Sequence, residues 1–214
     1  MSVTIVRGIP GSPYMRAVLM TLLEKNAPYR LEPLGPGQHK SPDYLAKHPF
    51  GRVPVIEQDG FVLYETQAIL RYLDRTLPTP AFTPADPRAA ARMDQAMNIN
   101  DWYLFRIIGV PVVFNRVVAP RIGMPVSEAA VAAGLPDAQA CFKSIDAFLG
   151  DRPYMAGDAV TLADLIMAPH VDMLDDCAEG QAMLAGTRLA DWLERMRARP
   201  SMAATTWDRL LAAA

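Results

Sequence analysis

The period of the apolar positions changes along this chain, and the changes outline its elements. From Ser2 to Ile9, Val3, Ile5 and Ile9 sit among β-branched neighbours and predict a strand. Ile9-Pro10-Gly11-Ser12-Pro13 breaks it, and from Tyr14 to Asn26 the apolar residues Val18, Leu19, Leu22 and Leu23 recur at helical spacing. Ser12 is a natural N-cap, with Pro13 at the first helical position. Tyr29 to Leu34 reads as a second strand, and Ser41-Pro42-Asp43 opens a short helix to about Lys47. Val53 to Glu57 and Phe61 to Tyr64 flank Gln58-Asp59-Gly60 and predict a hairpin. Glu65 to Thr76 is helical, with Ile69, Leu70, Tyr72 and Leu73 apolar, so the first part of the chain reads βαβ–ββα.

Four prolines between Leu77 and Pro87 forbid continuous helix or sheet and mark a boundary. Strand signals nearly vanish beyond it. Helices are expected over Arg88 to Val118, bent at Gly109–Pro111, and over Ser127 to Leu149, interrupted near Gly134–Pro136. Three more are expected over Thr161 to Cys177, Thr187 to Ala198 and Met202 to Leu211. The expectation is an α+β domain over 1–77, a linker over 78–87 and an all-α domain over 88–214.

Composition narrows the function only by exclusion. A net charge of −2 on 214 residues gives no footprint for nucleic acid or an anionic membrane. No run of about 18 apolar residues predicts a membrane span, and Arg7 and Pro10 interrupt any opening signal-type segment. Cys141 and Cys177 form no CxxC pair, which fits two free thiols in a reducing cytoplasm. No His, Cys, Asp or Glu spacing resembles a metal site, and no glycine pattern cradles phosphate.

The chemistry lies in three segments. Ser12, between strand and helix, is a helix cap and equally a hydroxyl at a positive helix end. Pro54 opens a strand whose backbone can pair with an extended ligand, and the helix start at Glu65–Thr66 offers unpaired N–H groups to a carboxylate. His39 and Lys40, in a Gly/Pro-rich loop, are either exposed loop residues or a carboxylate clamp, to which Arg52 would add. The ligand this pattern fits is small, anionic and peptide-like. Thr161-Leu162-Ala163-Asp164 reads as a structural capping motif. Tyr103, Phe105, Ile108 and Phe114 line an apolar pocket or pack as core or dimer contacts, and Pro10 is grouped with the pocket.

These segments, in this order, resemble the cytosolic glutathione transferases along nearly the whole chain. Gly11-Ser12-Pro13-Tyr14-Met15-Arg16 is similar to the segment of the serine-type classes that carries the catalytic serine. Gln38-His39-Lys40 with Lys47-His48-Pro49-Phe50-Gly51-Arg52-Val53-Pro54 resembles a phi-like pattern in a bacterial member. Thr161 to Asp164 matches the family's capping box, and Trp192 with Arg199-Pro200-Ser201 matches its ending. The resemblance implies a thioredoxin-like N-terminal domain, an all-helical C-terminal domain, a homodimer and a cis Pro54. It implies that Ser12 donates to the glutathione sulfur, Val53 pairs with the cysteinyl part, Glu65 and Thr66 hold the γ-glutamyl end, and His39 and Lys40 the glycyl carboxylate. Thr66 replaces the family's usual serine but keeps the hydroxyl, and Arg52 stands where glutamine or lysine is commoner. The implied reaction adds the glutathione thiolate to a hydrophobic electrophile, with glutathione as co-substrate and no other cofactor. Peroxidase, isomerase or dehalogenase chemistry would use the same thiolate, and a non-catalytic binding protein could keep the fold.

Overall fold

In the computed structural model, which describes residues 2–212, the sheet has four strands: β1 (Thr4–Gly8), β2 (Tyr29–Pro33), β3 (Val55–Gln58) and β4 (Phe61–Tyr64). Their order is β2-β1-β3-β4. β1 and β2 are parallel and are joined through helix α1 (Pro13–Glu24). β3 runs antiparallel to both β1 and β4. Asp59 and Gly60 take left-handed φ of 50° and 81°, the backbone that a two-residue β-hairpin turn needs. A one-turn helix, α2 (Pro42–Leu45), precedes β3, and α3 (Thr66–Thr76) follows β4. α1 packs on β1 and α3, burying Met15, Val18, Leu19 and Leu22 of one helix with Ile69, Leu70 and Leu73 of the other. This is the thioredoxin-like architecture.

The unit built on this sheet reaches Thr83, beyond the expected end at 77. Asp74 explains why. Its carboxylate pairs with the Lys25 ammonium at 2.7 Å and accepts the N–H groups of Phe82 and Thr83, both at 2.9 Å. Burial pushes this carboxyl upward, but Lys25 and the bonds from Thr83 and Phe82 together hold it below its ordinary value.

The segment from Ala198 onward also belongs with this unit and not with the helical one, a departure from the expected division. Arg199 makes a two-pronged contact with Glu24 at 2.8 and 2.6 Å, and Ser201 donates to the same carboxylate. The first and last residues of the expected domains (1, 213 and 214) lie outside the described residues.

The second unit, Pro84–Arg197, is helical throughout its regular structure. Its longest helix, α4, runs Pro87–Arg121, and over Asn100–Val118 its hydrogen bonds widen to the π pattern. Pro111, which has no N–H to donate, lies inside this π stretch. On length and composition this is, among the described residues, the one helix that could cross a membrane. Leu104, Ile108 and Val112 are buried within the helical unit.

Helix α5 (Glu128–Leu149) runs unbroken through Gly134 and Pro136, against expectation. A Cβ on Gly134 would meet Pro111 Cβ at 2.6 Å, so the glycine permits the two helices to approach closely. Helices α6 (Leu162–Leu174), α7 (Ala178–Leu184) and α8 (Arg188–Arg197) complete this unit. α7 has no counterpart among the helices expected from the sequence, and it contains Gly180. That glycine lies against the Leu174 carbonyl, where no side chain fits. Asp164, fully buried, accepts from Thr161 N–H and Oγ1 and from Met155 N–H and Trp192 Nε1, all within 2.8–2.9 Å. The expected capping motif is therefore also the hub of this unit.

The last expected helix divides into α9 (Pro200–Ala204) and α10 (Trp207–Ala212). Thr205 sits at the break, and its hydroxyl bonds back to the Ser201 carbonyl at 2.8 Å, competing with helical pairing.

Candidate active site

The sheet topology gathers the predicted residues. Register pairs Gly8 with Pro33, Arg7 with Val55, and Val55 with Tyr64. The ends of β1, β2 and β4 and the start of β3 therefore share one end of the sheet. Ser12, His39–Lys40, Arg52–Pro54 and Glu65–Thr66 all emerge there.

Ser12 caps α1 from an extended backbone, φ −73° and ψ 120°, and its Oγ accepts the Met15 N–H at 3.3 Å. That bond uses a lone pair and leaves the hydroxyl proton to be donated elsewhere. The helix end beside it is positive, which favours a negative group there. No acidic residue occupies the first turn of α1.

Lys40 ends a single 3₁₀ turn, Gln38–Lys40, and its Nζ donates to the Gly51 carbonyl at 3.0 Å. A Cβ on Gly51 would lie 2.9 Å from both the His39 carbonyl and Lys40 Nζ, and φ at Gly51 is +55°. Glycine is thus required for the His39–Lys40 turn to close on the strand entry. Tyr44 on α2 donates its hydroxyl to the Arg52 carbonyl at 2.7 Å. Burial pushes its pKa up to about 12 against a smaller opposing pull from Arg7, so the phenol stays a donor.

The Val53–Pro54 peptide is cis, as the resemblance implied. β3 starts at Val55, two residues later than expected, and Val53 enters neither the sheet ladder nor a backbone turn bond among the described residues. Its polar groups suit an extended ligand.

Glu65 caps α3 in the left-handed region, φ 68° and ψ 111°, and provides no side-chain cap. For a non-glycine residue this conformation costs on the order of 1–3 kcal/mol and persists where surroundings enforce it, commonly at ligand sites. Thr66, buried, is the first residue of the helix. The opening N–H groups of α3 form an anion-binding end.

Electrostatics link these segments. Burial lowers the pKa of His39, and the Lys40 and Arg52 cations lower it further, so the imidazole is neutral near pH 7. Its buried Nδ1 has no protein partner among the described residues. His48 is lowered by burial, with Glu65 opposing and Arg52 and Lys40 assisting. It stacks on Tyr64 with ring centroids 4.5 Å apart, a packing role.

The pocket residues fare differently, each described within its own unit. Pro10 is buried in the turn before Ser12. Tyr103 is 53% exposed on α4 and Phe114 is half-buried. Ile108 is fully buried as core of the helical unit, which corrects its assignment to a substrate pocket. Helical spacing alone does not tell a core residue from a pocket residue. Sequence reasoning also missed Tyr44, whose place one turn after the Ser41 cap was its only signal. Among the described residues no group of three or more His, Cys, Asp or Glu side chains could hold a metal ion.

Comparison with known proteins agrees with this geometry. Residues 7–81 match the family model "Glutathione S-transferase, N-terminal domain", and 128–195 match "Glutathione S-transferase, C-terminal domain". The chain is 33% identical over 188 residues to glutathione S-transferase theta-2B of Homo sapiens, spanning 86% of this chain and 76% of that one. It is 29% identical over 200 residues to a glutathione S-transferase of Hyoscyamus muticus, spanning 92% and 94%. The crystal structure of glutathione transferase F2 from Populus trichocarpa aligns with a TM-score of 0.86 at 27% identity, covering 97% of this chain and 99% of that one. With a relative above 30% identity across most of its length and family models matching both parts, the chain belongs to the glutathione S-transferase family.

Proposed function

We propose that this glutathione transferase activates its thiol substrate through Ser12 and belongs to the serine-type, phi-like group, as a bacterial member. The observation that carries the reading is the Ser12 hydroxyl, which accepts from Met15 N–H at the positive end of α1 and keeps its own proton to donate. An unperturbed thiol, with a pKa of about 8.5, is only a few per cent ionised at neutral pH. A hydrogen bond to a charged group contributes about 1.5–3 kcal/mol, which lowers a bound thiol's pKa by roughly one to two units. The bound sulfur is then substantially ionised at pH 7. Ser12 is a donor here and not a nucleophile.

The tripeptide lies along the sheet end. Its γ-glutamyl carboxylate meets the N–H groups of α3 with Glu65 and Thr66, its cysteinyl backbone pairs with Val53 beside Pro54, and its glycyl carboxylate meets Lys40, His39 and Arg52. His39 enters as a neutral donor, and Lys40 and Arg52 as cations. The left-handed backbone of Glu65 and the uncapped start of α3 support the first of these contacts. The co-reactant is a small hydrophobic electrophile. No cofactor beyond glutathione enters the step.

A homodimer is part of the proposal. Phe50, 67% exposed, and Trp102 and Val110 on α4 offer apolar surface that a second copy would bury. The free Cys141 and Cys177 fit a cytoplasmic setting.

The test is a panel of electrophiles and hydroperoxides assayed with glutathione, beside calorimetry of glutathione binding. Conjugation together with loss of affinity in Glu65→Ala and Thr66→Ala supports the reading. Unchanged affinity in both variants refutes the placement of the tripeptide.

A further inference from the structure

We infer that Trp207 is a positioning residue for the Ser12 hydroxyl, delivered to the active-site turn by the C-terminal segment. The inference rests on the role given above to Ser12 and adds what holds that hydroxyl in place.

The turn Ile9–Ser12 is closed by Ser12 N–H donating to the Ile9 carbonyl at 2.9 Å. At its apex Gly11 takes φ +91°, and a Cβ there would lie 2.4 Å from indole carbons Cδ2 and Cε2 of Trp207 and 2.7 Å from Cε3. The flat ring of Trp207 therefore lies against bare backbone one residue before Ser12. Glycine is required twice over, by its φ and by the indole.

Trp207 is not brought there by its own short helix alone. Five hydrogen bonds tie the preceding segment to α1, the helix that Ser12 caps. Arg199 and Ser201 both donate to Glu24 near its end. Arg16, one turn beyond Ser12, is buried and donates to Thr205 Oγ1 at 3.2 Å and to the Met202 carbonyl at 3.0 Å. The same helix thus anchors the strap and presents the hydroxyl, and Trp207 closes the loop between them. Nothing else in the sequence reading accounts for Trp207.

The consequence is chemical. The Ser12 Oγ bond to Met15 is long, 3.3 Å, so the cap alone holds the turn weakly. Without the indole the Gly11 backbone can relax, and misplacement by about an ångström removes much of a donor's effect on the thiolate. Trp207 does not touch the reacting sulfur in this account; it acts through Gly11.

The experiment compares Trp207→Ala, Trp207→Leu, Trp207→Phe, Gly11→Ala and Ser12→Ala in the full chain, reading the ultraviolet thiolate titration of bound glutathione and steady-state kinetics. Trp207→Ala should raise the thiol's apparent pKa by about 0.5–1 unit, in the direction of Ser12→Ala. Its kcat should fall about tenfold while the KM for glutathione moves less than about threefold. Trp207→Phe, which keeps a flat ring, should titrate as the parent does. Gly11→Ala is strained at φ +91° with or without the indole, so a shift in it alone does not support the role of Trp207. Trp207→Leu, which removes the flat ring but keeps apolar bulk, should shift the titration as Trp207→Ala does and carries the test should Trp207→Ala fail to fold. If Ser12→Ala moves the titration and a folded Trp207→Ala or Trp207→Leu does not, this inference alone falls. If Ser12→Ala itself leaves the titration unmoved, the proposed role of Ser12 fails and this one with it.

Discussion

Thr161 and Ser12, one in each unit, both cap helices with a hydroxyl, and the two are put to opposite uses. Thr161 in the helical unit is buried, and its hydroxyl donates to Asp164 at 2.8 Å within a closed set of bonds that also holds Met155 and Trp192. Ser12 in the sheet-based unit is half-buried, faces no acid in its first turn, and holds only the Met15 N–H at 3.3 Å. A fully committed cap stabilises, whereas a cap with an unspent proton at a positive helix end can act on a ligand. The surrounding backbone differs in the same sense. Left-handed Gly11, Gly51 and Glu65 cluster at the sheet end that carries Ser12, whereas Thr161 caps from an extended backbone.

The largest expected effect breaks the structural side of the contrast. Asp164→Ala leaves four buried donors without an acceptor and should cost on the order of 5 kcal/mol, read from the urea midpoint at unchanged slope. Thr161→Ala should cost only about 1 kcal/mol. A small loss in Asp164→Ala would dissolve the distinction between the two caps. Next comes Asp74→Ala, which strands the buried Lys25 ammonium and should cost about 3–5 kcal/mol by the same measurement.

Ser12→Ala should behave in the opposite way. Its stability loss stays near about 1 kcal/mol, while turnover at neutral pH falls about 10- to 100-fold, the equivalent of a lost charge-assisted bond. Glutathione should still bind. Glu65→Ala should leave the thiolate titration in place and weaken glutathione binding about tenfold, close to 1.4 kcal/mol by calorimetry.

The smallest effect is acid linkage in the sheet-based unit. Burial pushes Glu24 up, but the bonds from Arg199 and Ser201 outweigh it and hold the carboxyl below its ordinary 4.5. Asp74 lies below its ordinary 3.8 in the same net direction. A depressed native pKa stabilises at pH values above the unfolded pKa, and that stabilisation is lost as pH falls through the native value. Melting temperature should therefore decline below about pH 4.5, and Glu24→Gln should flatten part of that decline. An identical acid profile in Glu24→Gln would remove this ion pair from the account.

The short-range parts of this structure were legible in the sequence. The Ser12 cap, the Asp59–Gly60 hairpin and the Thr161–Asp164 motif each rest on neighbouring residues, and each stands where expected. What escaped depends on partners far away in the chain. Gly134 looks like a helix breaker until Pro111 is seen against it. The C-terminal segment joins the sheet-based unit because of Arg16 and Glu24, nearly two hundred residues earlier. Trp207 lacks any local signature because it acts on the distant backbone of Gly11. Ile108 follows the same helical spacing as its exposed neighbours, and only packing identifies it as core.

The account turns on whether the Ser12 proton stabilises a thiolate, and titration of enzyme-bound glutathione by ultraviolet absorbance reads that directly. In the parent the apparent pKa should lie roughly one to two units below that of an unperturbed thiol, and in Ser12→Ala it should return toward it. Equal apparent pKa values in the two proteins would contradict it.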